Sequence, residues 1–94
     1  MPEVRLHGLL VCDDEDEAAL IVEHLPRHIA LTRQEPGCLD FAVERTTDLL
    51  VWSVEECFAD RAAFDAHQQR VASSAWGRLT AHIERRYAVE GLTD

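Results

Sequence analysis

Basic residues are scarce in this 94-residue sequence, and none of them is lysine. Nine arginines stand against eighteen acidic residues, so the formal net charge is −9. The negative field repels polyanions, which excludes nucleic acid as an expected partner. With 47% hydrophobic and 29% charged residues, the composition is that of an ordinary globular protein. The length predicts one compact domain over residues 1–94.

Long apolar runs are also missing. Apolar stretches such as Leu49 to Trp52 fall far short of the roughly 20 residues that a membrane span needs. Residues 1–3 hold no basic region ahead of an apolar segment, as an export signal would. We therefore expect no membrane association and no export, and the cytoplasm is the predicted compartment.

Cysteine is sparse as well. Cys12, Cys38 and Cys57 are an odd number and show no C-x-x-C spacing, so neither a disulfide framework nor a zinc knuckle is indicated. Glycine-rich phosphate loops and a G-x-S-x-G elbow are absent, which excludes kinases, Rossmann-type oxidoreductases and serine hydrolases. His24 and His28 have the i, i+4 spacing of a helical metal pair, but no third ligand follows at a suitable spacing, and no metal site is expected.

The first half of the sequence carries a strand pattern followed by a helix pattern. Residues 4–12 are apolar on both parities, which is typical of a strand buried on two faces. Asp14 and Glu17 have the spacing of a capping box and predict the start of a helix. Its apolar positions continue to Ile29, and we expect Pro26 to kink the helix or to split it.

The second half predicts a hairpin, a helix and a last strand. Glu35-Pro36-Gly37 ends the first helix, and strands follow over residues 38–46 and 49–58. Asp60 caps a second helix, and residues 87–92 form the last strand. Ser73 or Ser74 caps a continuation of the second helix whose shared apolar face is formed by Trp76, Leu79 and Ile83. The order strand, helix, strand, strand, helix, strand predicts an α+β, ferredoxin-like antiparallel sheet with two helices on one face.

This order leaves one face of the sheet without a cover. Two helices cover a single face, yet apolar side chains occur on both parities of the predicted strands. They are Leu6, Leu9, Leu10, Val11, Leu50, Val51, Trp52 and Val54. A second copy of the same sheet is the simplest cover, so we expect a two-fold homodimer.

Two segments carry a family resemblance. The run Glu35-Pro36-Gly37-Cys38-Leu39-Asp40-Phe41 resembles the signature turn and strand of the antibiotic biosynthesis monooxygenase family. The run from Phe58 to His67, F-A-D-R-A-A-F-D-A-H, is similar to that family's strand, turn and helix ending in an Ala-His pair. The resemblance implies a dimeric α+β barrel without a metal or flavin cofactor. It also implies, as for several members, oxidation of a quinol-like or polycyclic phenolic substrate with molecular oxygen.

Other members of that family do different work, including haem breakdown. The haem-degrading branch uses an Asn on the first strand with a Trp and a His on the second helix. The nearest positions here hold His7, His67 and either Trp76 or Gly77, so this triad does not match and haem degradation is disfavoured. A non-catalytic dimeric barrel that binds a small apolar molecule is the alternative, because fold alone does not separate the two.

His67 is the first catalytic candidate. Phe64, His67 and Val71 recur at helical spacing and share the helix face that looks toward the sheet. A neutral imidazole there can take a phenolic proton, the first step that cofactor-free oxygenation needs. The competing interpretation is a core histidine hydrogen-bonded to the backbone.

His7 is the second catalytic candidate. It lies mid-strand, where a polar ring needs a cavity or a partner, and we expect it to line the same pocket as His67. A histidine satisfied within the core or at the dimer interface is the alternative. The expected substrate-binding residues are Trp76, Trp52, Phe64 and Glu56. The tryptophans would wall a flat aromatic ligand or be simple core, and Glu56 would orient a histidine or pair with an arginine.

Overall fold

Four antiparallel strands form one sheet, and the helices pack on one of its faces. The computed structural model describes residues 2–92. The elements are β1 (Val4–Val11), α1 (Glu15–Arg33), β2 (Cys38–Arg45), β3 (Val51–Phe58), α2 (Arg61–Ser73), α3 (Ala75–Leu79) and β4 (Glu84–Glu90). The sheet order is β2-β3-β1-β4. This confirms the predicted ferredoxin-like α+β arrangement. Of the domain expected over residues 1–94, residues 1, 93 and 94 lie outside the described range.

The first helix begins with the predicted capping box. The Asp14 side chain accepts a hydrogen bond from the Glu17 N–H at 2.9 Å, and the Glu17 carboxylate accepts one from the Asp13 N–H at 2.8 Å. The helix then continues through Pro26, so the expectation of a split is wrong. Pro26 lies on the exposed side of α1, so the backbone carbonyl one turn earlier, which a proline cannot hydrogen-bond, faces solvent. The buried residues of α1 hold the helix to the sheet on its other side.

The hairpin of β2 and β3 is confirmed, with a register shift between Cys38 and Asp40. The third strand begins at Val51 rather than at residue 49. The residues before it form the turn, where Thr46 N–H bonds to the Val51 carbonyl at 2.9 Å and Val51 N–H to the Asp48 carbonyl at 3.0 Å.

The chain after α2 differs most from expectation. The helix α3 has only five residues, and its N-cap is Ser74, whose hydroxyl accepts from the Gly77 N–H at 3.0 Å. Leu79, expected on its inner face, is exposed, and Thr80 is buried instead. The last strand spans Glu84–Glu90 rather than 87–92, because it pairs with β1 along nearly its whole length.

The two faces of the sheet differ in composition. The face toward the helices is the core side, and its buried residues include Val4, Leu6, Leu10, Phe41, Val43, Trp52, Val54 and Phe58. The outer face alternates apolar with charged side chains: Leu9, Val11 and Val51 lie among Arg5, His7, Glu55, Arg86 and Glu90. Apolar residues thus occur on both faces as expected, but the outer face is not a continuous apolar surface.

Within residues 2–92, no helix combines the length and the apolarity that crossing a bilayer requires.

Candidate active site

A pocket of about 340 Å³ lies between the inner face of the sheet and the helices α1, α2 and α3. Its apolar lining is formed by Leu6, Leu10, Phe41, Val43, Val54, Val71 and Trp76. Its polar lining is formed by His28, Glu56, His67, Arg85 and Tyr87. Gln68, Ala72 and Ala81 are exposed and stand at its edge, so the pocket opens beside α2 and the segment after α3.

His67 lies in the wall of this pocket because of how α2 begins and turns. The Asp60 carboxylate caps the helix by accepting from the Ala63 N–H at 2.8 Å, and the helix then faces Phe64 and His67 inward. The imidazole is only 2% exposed and packs 4.8 Å from the Phe58 ring, centre to centre. Burial lowers the pKa of His67 below its usual 6.5, although the Glu35 carboxylate acts in the opposite direction. The ring is therefore neutral near pH 7.

Glu35 orients this ring. Nδ1 of His67 lies 3.1 Å from both carboxylate oxygens of Glu35, which also accepts a hydrogen bond from Arg70 Nε. Arg70 in turn donates to the Thr32 hydroxyl at 2.9 Å, so the carboxylate is anchored to two helices. A carboxylate paired with an arginine only accepts, so Nδ1 carries the hydrogen. The lone pair then lies on Nε2, the nitrogen available to a ligand.

The Glu35-Pro36-Gly37 turn makes this contact possible. A Cβ placed on Gly37 would lie 2.2 Å from the Ala63 side chain, so only glycine lets the turn approach α2 this closely. The Glu35 N–H bonds to the Thr32 carbonyl and the Cys38 N–H to the Glu35 carbonyl, each at 3.0 Å. The signature turn therefore places a carboxylate against His67.

Glu56 faces His67 from the other side. Its side chain is 8% exposed, and its Oε1 lies 3.7 Å from His67 Nε2 with no hydrogen-bond partner among the described residues. Burial, reinforced by the nearby charge of Glu35, raises the pKa of Glu56 to about 7. No described arginine forms an ion pair with it, so the arginine alternative is not realised. Near neutral pH this carboxyl can either donate or accept a hydrogen bond.

His28 is a wall residue that sequence reasoning treated only as half of a metal pair. Its imidazole stacks on the Trp76 indole at 4.7 Å with 7° between the planes, and the Phe41 ring meets it edge-on at 5.3 Å. Burial first, and then the positive field of His67 and nearby arginines, lower the pKa of His28 to about 3. The signal was present in its position three residues after Leu25, on the buried stripe of α1.

Arg85 and Tyr87 are wall residues that the prediction also missed. Both lie on the inner face of β4, and starting the last strand at residue 87 left Arg85 outside it. Arg85 donates to the Thr80 carbonyl at 2.7 Å and to its hydroxyl at 2.9 Å. Burial raises the pKa of Tyr87, so its phenol stays protonated and available as a donor.

Three of the predicted site residues lie elsewhere. His7 lies on the outer face of the sheet, because side chains alternate along a strand and the preceding Leu6 points inward. Its side chain is half exposed, and its Nε2 lies 3.5 Å from the Glu90 carboxylate. The expectation that His7 and His67 share a pocket is therefore wrong. Trp52 is buried beneath the Arg45 guanidinium, 4.4 Å from its ring centre, and Phe64 packs edge-on against Phe58. These two rings are core, whereas His67, Trp76 and Glu56 line the pocket.

Within the described chain, no group of three or more His, Cys, Asp or Glu side chains is arranged to hold a metal ion. Cys12, Cys38 and Cys57 are free thiols.

Several solved structures share this fold. The protein Rv0793 of Mycobacterium tuberculosis superimposes with a TM-score of 0.77 at 19% identity, covering 99% of this chain and 97% of that chain. A proposed antibiotic biosynthesis monooxygenase of Nitrosomonas europaea gives 0.77 at 18% identity, covering 95% and 88%. Another from Caulobacter crescentus gives 0.73 at 17%, covering 98% and 91%. At these identities the likeness shows the fold alone.

Sequence comparison adds the family. No curated protein matches the chain. The family model of the antibiotic biosynthesis monooxygenases matches residues 13–79, which include the whole of α1, the signature turn, the β2–β3 hairpin and α2. The chain belongs to the antibiotic biosynthesis monooxygenase family.

Proposed function

We propose that the protein is a cofactor-independent monooxygenase that oxidises a quinol-like or polycyclic phenolic small molecule with O₂. The observation that supports this most directly is the oriented His67. Its Nδ1 is held by Glu35, it is neutral near pH 7, and its Nε2 lies at the pocket beside Glu56. This is the arrangement of a general base with an orienting carboxylate.

The base provides the step that such a reaction needs first. His67 Nε2 takes the proton of a substrate hydroxyl, and the resulting anion is electron-rich enough to pass an electron to O₂. For a quinol, one oxygen atom enters the ring and the other leaves as water. The two hydroxyl hydrogens and the displaced ring hydrogen account for that water and for the hydroxyl of the hydroxyquinone formed. The substrate supplies every electron, so the balance needs no further reductant.

The pocket fits a flat ligand of modest size. Its volume of about 340 Å³ lies at the small end of ligand sites, which suits one or two fused rings. The apolar side chains of the sheet form its floor, and Trp76 offers a ring face. Glu56 is placed to bind the substrate hydroxyl beside His67.

Oxygen uptake with a panel of quinols and naphthols tests the proposal, using protein shown to be colourless and metal-free. We expect uptake above the substrates' own autoxidation. We also expect His67→Ala to lower turnover by about 10² to 10⁴-fold, as is typical for loss of a general base. His82→Ala, which removes an exposed histidine that does not line the pocket, is the matched control.

Melting temperature is measured on the same variants to separate chemistry from stability. A folded His67→Ala protein with unaltered turnover contradicts the assignment of the base. No uptake by the wild type with any member of the panel favours the alternative, a non-catalytic barrel that binds a small apolar molecule.

The assembly and setting are part of the proposal. We propose a single-domain homodimer in which the outer faces of two sheets pack together, acting on a small aromatic substrate without a bound cofactor. The free state of all three cysteines supports a reducing compartment such as the cytoplasm.

A further inference from the structure

The two carboxyl oxygens of Glu56 have different surroundings. Oε1 is fully buried, has no hydrogen-bond partner among residues 2–92, and lies 3.7 Å from His67 Nε2. Oε2 of Glu56 and Nε2 of His67 also form no hydrogen bond within these residues, but neither of them is fully buried. Both side chains line the pocket, so these two atoms are the ones that a ligand there can reach.

The charges around Glu56 come from several elements. The ionisable side chains that line the pocket with it are His28 from α1, His67 from α2, and Arg85 and Tyr87 from β4. Burial first, and then the charge of Glu35 on the turn after α1, raise the pKa of Glu56 to about 7, against the opposing charge of Arg85. An acid that keeps its proton to neutral pH therefore stands beside a neutral base.

We propose that Glu56 is a second catalytic residue, the acid that protonates the leaving oxygen when the O–O bond of a substrate hydroperoxide breaks, while His67 removes the proton from the carbon that carries the peroxide. This role rests on the proposed function. When the substrate anion combines with O₂ at the ring carbon next to the ionised hydroxyl, the proton that His67 took returns to the peroxide. The product of that step is a hydroperoxide beside a base that is neutral again. Its cleavage to a carbonyl group and water then needs one base and one acid.

The cleavage balances within the pair. His67 Nε2 takes the proton of the C–H bond, and the electrons of that bond form the carbonyl group. The electron pair of the O–O bond goes to the outer oxygen, which leaves as water with its own hydrogen and the proton from Glu56 Oε2. The proton on His67 then returns to Glu56, because Nε2 and Oε1 are 3.7 Å apart and a small shift of either side chain brings them into contact. For a quinol, the resulting diketone is a tautomer of the hydroxyquinone.

A preformed hydroperoxide tests this step without the oxygen step. Tetralin hydroperoxide has two fused rings, and its cleavage to 1-tetralone and water is the same reaction at a benzylic carbon. Under argon, we expect the wild type to form 1-tetralone faster than buffer alone. The rate should fall as pH rises above about 7, where Glu56 loses its proton. Glu56→Gln has no proton to give, so it should lower the rate at or below neutral pH by about 10² to 10⁴-fold and should lack the alkaline fall.

Glu55→Gln is the matched control, because it makes the same change at the exposed neighbour on the outer face. It should keep the wild-type rate and pH profile, and urea denaturation shows which variants are folded. A folded Glu56→Gln protein with the wild-type rate overturns the inference, and so does a wild type that cleaves the probe no faster than buffer. If Glu56→Gln does not fold, the pH profile of the wild type decides, and a rate that does not fall above neutral pH overturns the inference.

The quinol reaction separates this role from the proposed function. With a quinol and O₂, Glu56→Gln should divert turnover from hydroxyquinone and water to quinone and hydrogen peroxide, the products formed when the O–O bond stays intact. Oxygen uptake with the same products and rate in this variant overturns the role of Glu56 and supports the proposed function. Cleavage of tetralin hydroperoxide that depends on Glu56, without oxygen uptake from any quinol, supports the acid–base pair and contradicts the proposed function.

Discussion

At the scale of single residues, the pocket combines three groups whose charged forms are all disfavoured by burial. His28 and His67 are held neutral, and Glu56 retains its proton to about pH 7. The charges that remain are the Arg85 guanidinium in the pocket wall and the Glu35–Arg70 pair behind His67. A neutral imidazole thus lies beside a carboxyl group with a pKa of about 7, which suits the proposed proton transfer from an uncharged phenol.

Glu56 is predicted to make stability depend on pH. The folded protein holds the Glu56 proton between pH 4.5 and about 7, where the unfolded chain has lost it, so this group's contribution falls as pH rises through that window. Glu56→Gln should therefore raise the free energy of unfolding above pH 7 by about 2 to 3 kcal/mol relative to wild type. Below pH 4.5 the two proteins should differ little. Urea denaturation across this range measures the difference.

His28 acts in the opposite direction, because its contribution is lost as pH falls from 6.5 to about 3. Comparing wild type with Glu56→Gln at each pH cancels that effect, since both proteins keep His28. Glu55→Gln, the same change at the exposed neighbour on the outer face, serves as control. A stability difference that is the same at every pH would show that the pKa of Glu56 is the same in the folded and unfolded chains.

A site residue could be predicted from the sequence only where a side chain with useful chemistry shares a helix face with apolar residues that mark the face as buried. His67 could be predicted because Phe64 and Val71 mark its helix face. His7 was misplaced because β1 is apolar on both parities, and only the position of Arg5 on its parity indicated the outer face. His28 was considered only for its i, i+4 spacing to His24, from which no metal site was expected, although its place on the apolar stripe of α1 indicated a buried residue.

At the scale of elements, the signature turn and α2 form one unit. Glu35 reaches His67 only because Gly37 lets the turn lie against Ala63. The turn therefore fixes both its own packing against α2 and the tautomer of His67. Secondary structure alone does not reveal this, because the contact joins two elements that are distant in the chain.

Gly37→Ala tests this contact. The added methyl group would lie 2.2 Å from the Ala63 Cβ, a short rigid group that cannot turn aside, so we expect a loss of about 1 to 3 kcal/mol in unfolding free energy. The same substitution in an Ala63→Gly background should cost much less, because the opposing methyl group is gone. Denaturant titration of the four proteins gives the coupling. Equal costs in both backgrounds would show that the turn and α2 are not in contact.

Most of the helices and strands could be predicted from the sequence, whereas the residues at which α3 and β4 begin and end could not. The N-cap residues and the Pro-Gly turn have local signatures, so α1, α2 and the hairpin agree with expectation within a few residues. The start of β4 depends on its pairing with β1, from Val11 with Glu84 to Arg5 with Glu90. That information lies in another segment of the chain, and local patterns do not carry it.

At the scale of the whole molecule, the outer face of the sheet is the surface available for assembly, because no helix within residues 2–92 covers it. Leu9 on the central strand is 36% exposed and is flanked by Ser53 and Arg86. The apolar residues there are interleaved with charged ones, a mixture in which apolar contacts can be surrounded by cross-subunit ion pairs. A second copy, related by a two-fold axis, brings each such surface against itself.

We therefore predict that light scattering at micromolar concentration gives about twice the chain mass of 10.6 kDa. Leu9→Arg should convert the protein to a folded monomer, because it places a positive charge on each of two symmetry-related apolar positions, where the cross-strand neighbour Arg86 carries the same charge. Leu49→Arg, at a residue 66% exposed in the turn before β3, should leave the mass unchanged. A wild type that stays monomeric and folded would contradict the dimer. The alternating charges of the outer face would then be the feature that keeps Leu9 and its neighbours in solution, since isolated apolar residues among charges form no aggregating patch.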